Sequence, residues 1–147
     1  MKTPLLTLTI FLGVILAVHL AMNGKVGASI NNPRVANALF WCIGAFGAII
    51  IGATGWQSGA LGGVKDVNPL LLTAGLMGAS LVFAIAWLIP QVGAYSVMIS
   101  LIAGQVLGGM VLSHFGLLGS PLQRVTSANI IGAAVMLAGV FLATRTS

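Results

Sequence analysis

Apolar residues run almost unbroken through five stretches, at about 4–22, 34–56, 69–89, 93–114 and 122–144, with polar residues gathered between them. Each stretch can cross a hydrocarbon core of about 30 Å at about 1.5 Å of helix per residue. Lipid cannot satisfy exposed backbone N–H and C=O groups, so a spanning segment must pair them internally. The short alternating segments of a membrane barrel are absent. The pattern therefore predicts an all-α integral membrane protein of five transmembrane helices, forming a single domain over 1–147.

The prolines sharpen the boundaries. Thr3-Pro4, Asn32-Pro33, Asn68-Pro69 and Ser120-Pro121 each place a capping side chain before a proline. An oxygen of Thr, Asn or Ser accepts from an orphan N–H of the first turn, and proline at the first helical position loses no bond. These four pairs predict helix starts. Pro90, within Ile89-Pro90-Gln91-Val92-Gly93, is expected to break the run and make the third and fourth helices an antiparallel hairpin. The stretch from Pro4 to Met22 is longer than a signal-peptide core and lacks a good cleavage site, so it is expected to be a retained span.

Composition excludes the other broad classes. The chain is 59% hydrophobic and only 5% charged, with mean hydropathy +1.12. A soluble domain is about 25% charged. The net charge of +5 comes from Lys2, Lys25, Arg34, Lys65, Arg124 and Arg145, scattered rather than clustered. Scattered cations at span ends suit lipid headgroups, not nucleic acid. Cys42 is alone, which leaves no intrachain disulfide and no metal framework.

Glycine accounts for 20 residues. Small residues recur at spacing four in Gly13, Ala17 and Ala21, in Gly44, Ala48 and Gly52, and in Ser100, Gly104 and Gly108. Such ridges let helices approach closely in lipid, either for fixed packing or for sliding surfaces. Trp56, Trp87 and Tyr95 fall near span ends, where an aromatic belt places them. Trp41 lies deeper in the second helix, as belt, packing or cavity lining.

Five spans put the termini on opposite sides. Lys2, Lys65 and Arg124 then share one side, and Lys25, Arg34 and Arg145 the other. Orientation normally follows an excess of Lys and Arg on the cytoplasmic side. A count of three against three predicts dual topology and an antiparallel homodimer of ten helices, the inverted-repeat plan of many transporters. The alternative is one orientation fixed by other cues or by a partner protein.

The pieces Gly75-x-x-Gly78, Pro90-x-x-Gly93, Ala103-Gly104-Gln105 and His114-Phe115-Gly116 resemble the YdcZ family of the drug/metabolite transporter superfamily. Asn23, Pro33 and Gly44 agree in the first half, and Pro121, Arg124, Gly132 and Gly139 in the last. The resemblance implies a half-size, five-helix, multi-pass transporter of the bacterial inner membrane. Relatives usually carry an acidic residue before the His-Phe-Gly piece. Here it is Ser113, so no cation or proton role of that carboxylate carries over.

The only carboxylate side chain is Asp66, in a loop. Proton-coupled export of cationic drugs through an intramembrane carboxylate is therefore disfavoured. No carboxylate pair, Cys/His cluster or Ser-His-Asp set is present, so the expectation is a non-enzyme without a cofactor. Buried polar groups remain as candidate substrate-binding residues, since lipid makes them costly unless they are satisfied or used. His19 and Asn23 share a face at the end of the first helix, lining a cavity mouth or bonding locally. Gln105 lies mid-span in the fourth, bonding across helices, across a dimer interface, or to a polar substrate; the Gly-Gln resemblance makes it the first candidate. Asn37, Trp41 and Ser100 complete the set. Ser80 and Ser96 are expected to bond within their own helices, and His114 to sit at the interface. A cavity of this kind suits a neutral or anionic solute. The sequence supports a small-solute transporter working by alternating access, in contact with membrane lipids. It leaves open a lipid-handling or flippase-type subunit and a non-transporting assembly partner.

Overall fold

The computed structural model describes residues 2–145, with side chains from Pro4 onward. The Thr3 cap and the Lys2 side chain lie outside the described residues. The element order is α1 (Lys2–Ser29), α2 (Pro33–Thr54), a 3-10 turn (Gly62–Asp66), α3 (Pro69–Leu72), α4 (Ala74–Val92), α5 (Ala94–Phe115) and α6 (Ser127–Thr144), with a second 3-10 turn at Leu117–Gly119. Five spans are long and apolar enough to cross a membrane: α1, α2, α3 with α4, α5 and α6. Among the described residues there is no strand. Large apolar side chains such as Ile10, Ile43, Ile51 and Leu76 are over 70% exposed, as lipid-facing positions should be.

The chain forms two compact units, one up to Gln91 and one from Val92. In the first, α1 packs along α2. The buried positions of α1 are Leu20, Asn23, Gly24 and Gly27, a stripe at spacing three and four. That spacing is one face of a helix. In the second unit α5 packs along α6, with Val97, Ala103 and Ala133 buried.

Several expected boundaries move. The first helix runs seven residues past Met22, leaving only Ile30–Asn32 as its connection to α2. Nothing from Asn23 to Ser29 forbids helix; Gly27 there lies against Pro33 and Ala36 of α2, and Gly24 against Ala86 of α4. Asn32-Pro33 opens α2 as expected: the Val35 N–H donates to Asn32 Oδ1 at 3.2 Å. Asn68-Pro69 opens α3 in the same way, with Leu70 N–H donating to Asn68 Oδ1 at 3.0 Å. Pro90 does not break its helix. It sits in the last turns of α4, and the break falls at Gly93, whose φ of +84° is left-handed territory open to glycine.

Ser120-Pro121 does not start the last helix either. Beyond the 3-10 turn at Leu117–Gly119 the segment stays irregular until Thr126, where a reciprocal cap forms. Asn129 N–H donates to Thr126 Oγ1 at 3.3 Å, and Thr126 N–H donates to Asn129 Oδ1 at 2.9 Å. Two tethers hold the segment back on α5. Gln123 N–H donates to the Ser113 carbonyl at 2.8 Å, and Val125 N–H donates to His114 Nδ1 at 3.1 Å. Gly116, with φ +63°, closes α5 in a left-handed cap. His114→Phe removes the second acceptor. Amide exchange at Val125 should then speed up about tenfold, the effect of losing one net hydrogen bond.

The glycines of the small-residue ridges make no close contact among the described residues. A Cβ added at Gly13, Gly44, Gly52, Gly104 or Gly108 meets nothing within 4 Å. The glycines that do make room lie elsewhere. A Cβ on Gly27 would sit 3.2 Å from Pro33 Cα, and one on Gly78 would sit 3.6 Å from the Trp41 ring.

Candidate functional site

Four of the six expected substrate-binding residues lie in the first unit. Asn23 is its buried polar residue, 4% exposed, and its Nδ2 has no hydrogen-bond partner. An unpartnered buried amide costs about 1–3 kcal/mol. Asn23 lines two cavities. The larger, about 390 Å³, is otherwise bounded by His19, Met22, Val26, Ala36, Leu39, Phe40 and Ile43. The smaller, about 190 Å³, lies against Gly24, Gly27, Ala86, Trp87, Pro90 and Gln91, among others.

His19 stands one turn before Asn23. Its Nδ1 lies 3.1 Å from the Leu16 carbonyl. A carbonyl only accepts, so this contact requires the proton on Nδ1. The ring lies 4.9 Å from Phe40, tilted by 36°. His19 and Asn23 are therefore brought to one cavity, as their spacing suggested.

Asn37 and Trp41 face a different neighbour. Asn37 Nδ2 donates to the Ala79 carbonyl at 3.4 Å, and the Trp41 ring lies over Gly78. Asn37 Oδ1 and Trp41 Nε1 are buried without partners. These two helical neighbours carry one stranded acceptor and one stranded donor where α2 meets α4.

Pro90 explains a close approach in the same unit. It has no N–H, so the Ala86 carbonyl cannot receive the usual i+4 bond. Gly24 fills that place: a Cβ there would sit 2.9 Å from Ala86 O. The Cα of glycine can come near such an oxygen and offer it a weak C–H contact.

Gln105 and Ser100 lie in the second unit, both exposed along α5. His114, expected at the interface, is the acceptor that tethers Val125, so its Nδ1 is unprotonated. Ser113, in place of an acidic residue, lies 3.2 Å from Ser120, hydroxyl to hydroxyl.

A family model described as "Putative inner membrane exporter, YdcZ" matches residues 4–142. The chain belongs to the YdcZ family. No curated protein and no solved structure matches it. Membership makes this a membrane transporter and a multi-pass protein of the inner membrane, in agreement with the five spans. Against that family background, two residues of the site were missed from the sequence. Phe40 supplies the ring facing His19, and its place beside Ala36 at spacing four was the available signal. Gly24 supplies the approach to Ala86, and its signal was the proline four residues beyond that carbonyl.

Proposed function

We propose that the chain moves a small solute by alternating access, as an antiparallel homodimer of dual topology, each copy supplying one single-domain, five-helix half. Family membership supports transport. The observation that carries the solute reading is the stranded polar set in the first unit: Asn23 Nδ2, Asn37 Oδ1 and Trp41 Nε1. A buried donor or acceptor without a partner gains a hydrogen bond when a polar solute reaches it. Gln105 and Ser100, exposed on a spanning helix, are candidate solute-binding residues of the second unit. We read the chain as a non-enzyme without a cofactor.

The test is a proteoliposome uptake screen over anionic, neutral and cationic solutes, with and without proton and sodium gradients. The expected result is uptake of neutral or anionic solutes. Proton-driven movement of cations alone would overturn the reading, because no carboxylate side chain lies in a span.

For orientation, three cations on each side predict that a C-terminal reporter gives signal on both faces of the inner membrane. Signal from one face only would defeat dual topology.

A lipid-handling role is the second reading. It is favoured by a recess of about 600 Å³ where Arg34 meets Asn31, Asn32, Phe83 and Trp87. Loss of headgroup binding on Arg34→Gln, with solute uptake unchanged, would assign that recess to lipid.

A further inference from the structure

The connection from α5 to α6 folds back on the last turn of α5, and hydrogen bonds tie its later residues to Ser113 and His114. The Ser113 and Ser120 hydroxyls meet at 3.2 Å. The Gln123 N–H donates to the Ser113 carbonyl at 2.8 Å, and the Val125 N–H donates to His114 Nδ1 at 3.1 Å. Of these acceptors only the imidazole nitrogen titrates near neutral pH. It accepts while it lacks a proton, whereas an imidazolium donates from both nitrogens. Protonation of Nδ1 therefore sets N–H against N–H and breaks the Val125 bond. Imidazole is the side chain that makes this change between about pH 5 and pH 8.

We propose that His114 is a proton-operated latch: neutral, it holds the Val125 end of the connection on α5, and protonated, it releases that end while the Gln123 bond still holds. The surroundings offer the imidazolium no reason to stay. Its ring neighbour is Phe115, at 4.7 Å and nearly perpendicular. Arg124 is the one charged side chain between Gly116 and Thr126, and it brings like charge. Elsewhere on α5 the one titratable side chain is Tyr95, at the opposite end, and α6 has none from Ser127 to Thr144. No carboxylate side chain occurs in residues 92–147 to pair with the ring. His114 is half-buried in the last turn of a span, so water at that membrane face supplies the proton. The released piece carries Arg124 and leads into the Thr126 cap of α6. Acidity at that face thus loosens the entry to α6, whichever solute the protein moves.

The experiment follows single amides of the full chain in lipid nanodiscs by NMR, at steps from about pH 8 to about pH 5. Exchange rates are divided by those of an unstructured peptide at the same pH, so that only protection is compared. Protection of the Val125 amide should fall about tenfold as the pH drops, the effect of one net hydrogen bond. The Gln123 amide, held by a carbonyl, should keep its protection. Nitrogen shifts of the His114 ring should show Nδ1 gaining its proton at the same midpoint. His114→Asn places an oxygen that does not titrate near the position of Nδ1, and should leave Val125 protected across the whole range. Val125 protection that does not change with pH in the parent would overturn the latch. So would a midpoint different from that of the ring, which needs no variant to observe, or the same fall in His114→Asn.

Discussion

Gly24→Ala should destabilise the first unit, while Gly13→Ala on the same helix should be silent. The added methyl at Gly24 would sit 2.9 Å from a backbone carbonyl, that of Ala86, which cannot swing aside like a side-chain tip. Overpacking of this kind costs about 1–3 kcal/mol. At Gly13 the same methyl meets nothing within 4 Å. The check is the unfolding midpoint in a mild detergent together with the yield of folded protein. Transport should fall with Gly24→Ala. An unfolding midpoint equal to that of the parent would show that α1 and α4 are not held by this approach. Gly27→Ala should be intermediate, since its nearest neighbour is Pro33 Cα at 3.2 Å.

The second large effect separates activity from stability. Asn23→Leu replaces a buried amide with an apolar group of similar size. Because Asn23 Nδ2 has no partner, its removal gives up no bond of that nitrogen and relieves a desolvation cost. The variant should be as stable as the parent, or more stable by about 1 kcal/mol. Its transport of solute should fall tenfold or more. A variant that loses stability as well would make Asn23 a structural residue. Retained transport would remove it from the site.

The spans were legible because lipid enforces them: twenty or so apolar residues in a row leave few alternatives to helix. Their ends were less so. Asn32-Pro33 and Asn68-Pro69 act as the local chemistry predicts, because each cap needs only its own first turn. Ser120-Pro121 does not, since His114 and the Ser113 carbonyl capture the following segment from the preceding helix. Pro90 misled for a related reason. The carbonyl it leaves unbonded is met by Gly24 from a distant part of the chain, and no local rule reports that. The same holds for the glycines. Spacing four points to ridges whose glycines have open space around them, while Gly24 and Gly27, at spacing three, make the close contacts. In the site, the pairing of His19 with Asn23 was readable from one helical turn. The facing of Phe40 on His19 required knowing how α1 and α2 lie together.

The connection between α1 and α2 is three residues long, with Lys25 shortly before it and Arg34 just after. So short a tip cannot be divided between the two sides of a bilayer. It carries two of the three cations of its face as an indivisible pair, and each molecule commits both at once. That makes the tip a lever for engineering: neutralising Lys25 and Arg34 leaves three cations against one, which should lock every copy in a single direction and abolish any assembly that needs opposed partners.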